Sequence, residues 1–112
     1  MDLRTRIDIV GALPVLTLSG SVDLATLPRL QDGLLRLAAE HPGQRVAVDL
    51  DGVDVLDDTA LGVLLGAAGR ARQQGGDLIV VCATERTRQR FAVTGLDRAV
   101  DVVGGLAELL AS

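Results

Sequence analysis

Five carboxylates crowd into one short stretch of this sequence: Asp49, Asp51, Asp54, Asp57 and Asp58. Hard oxygen ligands of this kind suit a divalent cation. Acidic residues spread over two loops, however, are ordinarily just solvated. Softer ligands offer less, since His41 and Cys82 stand alone and no Cys/His set exists. Cys82 closes the apolar run Leu78-Ile79-Val80-Val81-Cys82, where a thiol reads as inert core. His41 reads as an exposed helix end, favourable to the helix dipole. Ser19-Gly20-Ser21 is no nucleotide cradle, because no Lys-Ser/Thr follows it. No cofactor and no metal are expected. What remains is Asp57-Asp58-Thr59, ahead of an apolar pattern of helical spacing. Asp and Thr are N-cap types whose oxygens accept from the unpaired N–H groups of a first helical turn. An exposed strand-to-helix corner is expected there, a place where signalling domains often put a switch.

The elements that must position this corner follow from apolar spacing. Ile7, Ile9 and Val15-Leu16-Thr17-Leu18 suggest two short strands with a turn over Gly11 to Pro14, and Ser19 to Asp23 reads as a loop. Leu27, Leu30, Leu34, Leu37 and Ala38 form a helical stripe that begins near Thr26 and stops at Pro42-Gly43. Pro28 fits its first turn, where a missing N–H costs nothing. Val46 to Leu50 is a buried strand, Asp51-Gly52 a turn, and Val53 to Leu56 a short continuation to the corner. A second helix over Asp58 to Gln74 carries Leu61, Leu64, Leu65, Ala68 and Ala71 on one side. Gly62, Gly66 and Gly69 weaken it by about 1 kcal/mol each relative to Ala, a cost that close packing on a neighbour could offset. Asp77 to Ala83 is a strand. Thr84 caps a helix stopped at Gly95, Ala99 to Val103 is a last strand, and Leu106 to Leu110 a closing helix. From residue 45 onward strands and helices alternate with short connections. That predicts parallel strands and right-handed crossovers after a leading hairpin, an α/β sandwich.

The composition narrows the function. At 112 residues one domain over 1–112 is expected. Hydrophobic residues make up 48% of it, yet Phe91 is the one aromatic, so Leu, Val and Ala must build the core. All 11 basic residues are Arg, and the net charge is −4. Nucleic-acid binding calls for a basic face and stacking aromatics, and both are poorly supplied. Arg86, Arg88 and Arg90 cluster in one expected helix and read as a solvated face. Met1 to Arg6 has no apolar leader character, and no apolar run approaches membrane-spanning length. A cytoplasmic protein without membrane insertion is expected.

Several segments, in order, resemble the STAS domains, the anti-anti-sigma factors of bacteria. Leu18 to Asp23 looks like the family's early Gly-x-Leu/Val-Asp segment, and Val46 to Val53 stands where its central strand does. Asp57 to Gly62 is similar to its signature corner, an Asp followed by two small hydroxyl residues, Gly, Leu and Gly. Gly75-Gly76-Asp77-Leu78 fits its helix-to-strand turn, and Phe91 to Leu96 its Phe-x-x-x-Gly-Leu helix end. The resemblance implies a mixed sheet with packed helices and no catalysis. It implies a partner as well: an anti-sigma factor, usually a serine kinase with a histidine-kinase-like ATPase fold, whose capture frees a sigma factor. Phosphorylation of the corner Ser reverses such binding, because about −1.5 to −2 charges break a modest interface by repulsion and desolvation.

Transferred residue by residue, the acceptor Ser falls on Asp58, with Thr59 on the neighbouring hydroxyl and Ala60 on the usual Gly. Asp58 is no substrate for a serine kinase. Three roles stay open: a fixed charge imitating phosphate, a bystander to phosphorylation at Thr59, or a helix cap. The reading favoured here is an unregulated binder with Asp58 as cap. Docking is expected through Asp23, Asp57, Asp58, Thr59, Ala60, Leu61 and Gly62, although the helical stripe argues for burial of Leu61.

Two enzyme resemblances compete. Val46 to Val53 spells an apolar strand ending Asp-x-Asp-Gly-Val, which resembles the first motif of haloacid-dehalogenase-like phosphatases. There Asp49 would be the nucleophile and Asp51 the general acid/base beside Mg²⁺. That family begins with this strand, whereas a hairpin and a helix precede it here, and the phosphate-holding and later metal-binding residues are missing. Receiver domains share the size and α/β class, but need an acidic pair on the first strand and a later Lys. A non-enzyme is expected. The alternative of another class is a STAS subunit of a lipid-transport ABC system or a sensory assembly, which needs no acceptor Ser.

Overall fold

Strand alternation in the first quarter of the chain builds a hairpin, here in a computed structural model that describes residues 2–110. β1 (Leu3–Val10) and β2 (Leu13–Val22) pair antiparallel, with Ile7 opposite Leu16. The connection is Gly11-Ala12 alone, so Pro14 belongs to β2, paired with Ile9. There follow α1 (Leu27–Glu40), β3 (Arg45–Leu56), α2 (Asp58–Gln73), β4 (Asp77–Val81), α3 (Glu85–Thr94), α4 (Leu96–Ala99), β5 (Asp101–Val103) and α5 (Leu106–Leu110). The five strands lie in chain order, β1-β2-β3-β4-β5, and every pair after the hairpin is parallel. The expected mixed α/β architecture is present.

Sequential strand order has a consequence. Right-handed crossovers between successive neighbours put their helices on one face of the sheet. Leu30, Leu34 and Leu37 of α1, Leu61 and Leu64 of α2 and Phe91 of α3 accordingly share one core with Leu16, Leu18, Val48 and Val80. Phe91, the sole aromatic, is fully buried there. Intervening residues of the same strands, Val15, Ala47, Ile79 and Val81, form a smaller core under Leu109 of α5 on the opposite face.

The strands differ from the sequence reading in ways that matter for the corner. Ser19 to Val22 is strand, not loop, and β3 runs unbroken through Asp51-Gly52. The pairing explains why a turn signal sits inside a strand. Between Thr17 opposite Asp49 and Val22 opposite Leu56, β2 advances five residues and β3 advances seven. Two bulges in β3 absorb the surplus, at the acidic stretch. Gly20 serves the same irregularity with φ of 104°, and a Cβ there would strike the Asp2 carbonyl. β4 stops at Val81, and residues 96–99 coil into α4 before a three-residue β5. Gly95 ends α3 in the left-handed conformation, as its sequence signal predicts. The glycine stripe of α2 finds no close-packed neighbour: a Cβ on Gly62 or Gly69 would meet nothing within 4 Å. No helix among the described residues is long and apolar enough to cross a membrane.

Candidate functional site

Two strand ends meet at the corner. Val22 and Leu56 are the last pair of the β2–β3 ladder, and the Asp57 N–H donates to the Val22 carbonyl at 2.8 Å. The chain after β2 and the start of α2 are thereby fixed to one another. After β2, Asp23 and Thr26 lock the loop reciprocally. The Asp23 N–H donates to Thr26 Oγ1 and the Thr26 N–H to Asp23 Oδ1, both at 3.0 Å. The buried Thr26 hydroxyl in turn donates to the Ser21 carbonyl at 2.8 Å. Asp23 is thus held rigidly beside the corner, half-buried, while Leu24 next to it is exposed.

The helix start assigns the two corner aspartates differently from the sequence reading. Asp57, not Asp58, is the N-cap. It has extended backbone, and its carboxylate accepts from the Thr59 N–H at 3.4 Å. Asp58 stands one residue inside, where its N–H is an unpaired donor of the first turn and its side chain projects outward. There it meets Arg90 of α3: Nη2 donates to Asp58 Oδ1 at 2.6 Å, with the Asp58 side chain still 82% exposed. Asp58 adds to the helix dipole, but capping belongs to its neighbour. Arg90 is the residue sequence reasoning missed, read as part of a solvated Arg face. The available signal was topological, since α2 and α3 must share a sheet face when their strands are sequential.

Thr59 and Gly62 are exposed with Asp58. Ala60 and Leu61 are not: they are 0% and 5% exposed and belong to the main core. The helical stripe turns both toward the sheet, so neither offers area to a partner. The accessible surface of the corner is therefore the exposed Asp58, Thr59 and Gly62 with the half-buried Asp23 and Asp57, and Arg90 lies beside it.

A family model described as STAS domain matches residues 4–109. The chain belongs to the STAS domain family. This STAS domain is 32% identical over 85 residues to the anti-sigma-B factor antagonist of Bacillus subtilis, covering 76% of each chain. It is 29% identical over 84 residues to the anti-sigma-B factor antagonist of Listeria monocytogenes, covering 75% of this chain and 73% of that one. Its fold matches the crystal structure of an anti-sigma factor antagonist from Mycobacterium paratuberculosis. There the TM-score is 0.87 at 24% identity, over 98% of this chain and 92% of that one. The unphosphorylated form of the anti-sigma factor antagonist SpoIIAA is similar with a TM-score of 0.73 at 14% identity, over 95% and 93% of the two chains.

Asp49 and Asp51 of this STAS domain have local employment. Asp49 Oδ1 accepts from the Asp51 N–H at 2.9 Å, and Asp51 Oδ1 from the Ala83 N–H at 2.8 Å. Asp49 braces the bulged backbone of β3 and Asp51 ties β3 to the chain just after β4, and both stand on the third strand of the chain rather than its first. Among the described residues no three His, Cys, Asp or Glu side chains come together in a way that could hold a metal ion. Cys82 is buried beside this stretch; burial chiefly, and the Asp51 charge in the same sense, push its thiol up. A raised thiol is mostly protonated at neutral pH and is a poor nucleophile.

Proposed function

We propose that this STAS domain is an anti-sigma factor antagonist that docks through the corner formed by Asp23, Asp57, Asp58, Thr59 and Gly62. The partner is an anti-sigma factor with a histidine-kinase-like ATPase fold, and its capture frees a sigma factor. The observation that carries this reading is the corner itself: half-buried Asp23 and Asp57 at two tied strand ends beside exposed Asp58 and Thr59, in a chain 32% identical to an anti-sigma-B factor antagonist. No catalytic step is assigned to any residue.

Asp58 makes the binding unregulated at the position where the family resemblance puts the acceptor Ser. A carboxylate brings one charge and two oxygens, against the dianion of a phosphate. Arg90 balances that charge within the chain, so the corner presents less net negative charge than a phosphorylated surface would. Thr59 keeps a free-standing hydroxyl on the same turn, but its position is that of the neighbouring residue. The test is incubation of the purified protein with the cognate kinase and ATP, followed by mass spectrometry and a binding titration. Unmodified Thr59 and ATP-independent binding are expected. Phosphate on Thr59, with binding weakened in proportion, overturns the unregulated reading.

A further inference from the structure

The β1 edge of the sheet carries a pattern that the docking corner does not explain. β1 is an outer strand of eight residues, whereas the other outer strand, β5, has three. Long open edges attract other strands. Which β1 groups face outward follows from its first rungs. The Ser21 N–H donates to the Asp2 carbonyl, so Asp2 faces β2. The Leu3 N–H is taken by the Asp2 carboxylate, and the Leu3 carbonyl by the Arg29 guanidinium. Leu3 therefore faces away from β2, and by antiparallel alternation Thr5, Ile7 and Ile9 do the same. Arg29 closes the first outward rung. The outward backbone groups of Thr5, Ile7 and Ile9 remain for a partner strand.

We infer that β1 pairs antiparallel with β1 of a second copy of this chain, about a two-fold axis at Ile7. Thr5 then lies opposite Ile9 of the second copy, and Ile7 opposite its own counterpart. These three rungs give about six backbone hydrogen bonds. The charges select the register. Arg6 and Asp8 already pair with each other on one face of β1. In this register Arg6 lies opposite the Asp8 of the second copy and Asp8 opposite its Arg6, while Arg4 meets Val10. Moving the axis to Arg6 sets Arg6 against Arg6. Moving it to Asp8 sets Asp8 against Asp8, and moving it to Thr5 sets Arg4 against Arg6. Like charges directly opposite are destabilising, and opposite ones favourable. Apolar area is present at the same seam. Ile9 is 56% exposed and Leu35 of α1 is 58% exposed, and Leu35 lines a shallow hollow with Arg4 and Thr5 beside the strand. In the paired arrangement Ile9 of each copy comes opposite Thr5 of the other, next to that hollow. An interface using the same patch on both chains closes at two and leaves the corner on α2 free.

Sedimentation velocity, run from micromolar to near-millimolar protein, tests the pairing with a charge-swap set. The wild type should show a monomer–dimer equilibrium. Asp8→Arg alone, or Arg6→Asp alone, should weaken the dimer roughly tenfold or more by setting like charges opposite at two rungs. An equimolar mixture of the two single variants should recover a dimer, because their charges then complement each other. The chain carrying both substitutions should dimerise like the wild type. Circular dichroism on each variant controls for folding, and the recovery arms cannot arise from misfolded protein. A monomer at every concentration, or a dimer unmoved by Asp8→Arg, overturns the inference.

Discussion

Two pairs of aspartates lie on either side of the end of β3, and one of the four carboxylates behaves unlike the other three. Asp49 and Asp51 turn their carboxylates onto N–H groups of Asp51 and Ala83. Asp57 does the same for the first turn of α2, but Asp58 points outward to Arg90 and stays 82% exposed. The residue type is constant. What differs is the backbone donor each carboxylate takes: the bulged β3 presents the Asp51 N–H, the chain after β4 the Ala83 N–H and the helix start the Thr59 N–H, whereas Asp58 takes a side chain. Carboxylates that satisfy backbone stabilise the fold, and the one left over is available to a partner.

Substitutions in the two regions sharpen this contrast. The largest effect belongs to neither pair but to the residue that seats the corner. Leu61→Ala should lower unfolding free energy by about 3 kcal/mol in denaturant titration, because Leu61 is buried in the main core. Asp51→Ala should cost about 1.5 kcal/mol, since the Ala83 N–H loses a charged acceptor. Partner binding should be unchanged in that variant, and any Mg²⁺-dependent phosphatase activity lost with it would revive the nucleophile reading of Asp49. Asp57→Ala should cost about 1 kcal/mol as a lost cap and should weaken docking as well, because the corner frays. Asp58→Ala should change stability least, by a few tenths of a kcal/mol, in keeping with an exposed ion pair. That small difference should shrink further as salt is raised. A cost of Asp58→Ala as large as that of Asp57→Ala would return the cap to Asp58.

Much of this arrangement was legible in the residues. The α1 stripe from Leu27 to Leu37, the stop at Gly95 and the apolar runs of β3 and β4 follow from periodicity and punctuation, which are local signals. The corner was legible too, because N-cap chemistry depends on neighbours in sequence. Four features were not. Asp51-Gly52 carries turn chemistry, yet pairing of Gly52 with Ser19 of β2 keeps the chain in strand and converts the turn into a bulge. Asp57 and Asp58 are both good caps, and one residue of register between β3 and α2 decides which is used. Arg90 reaches Asp58 across 32 residues, a contact set by strand order alone. Close packing could have offset the glycine cost in α2, but a Cβ on Gly62 or Gly69 would meet nothing and one on Gly66 only Arg70 of the same helix.

On this reading the corner captures an anti-sigma factor without a phosphorylation switch. Affinity capture from a lysate of the native host, with bound proteins identified by mass spectrometry, tests it most directly. Wild type, Asp58→Ser and Gly62→Arg should be compared, the last placing a bulky cation on the open first turns of α2. Wild type should recover an ATPase of the histidine-kinase-like fold, Gly62→Arg should lose it, and Asp58→Ser should retain it but become sensitive to added ATP. Recovery of transporter subunits or sensory-complex proteins with no such ATPase, or capture unaffected by Gly62→Arg, would contradict it.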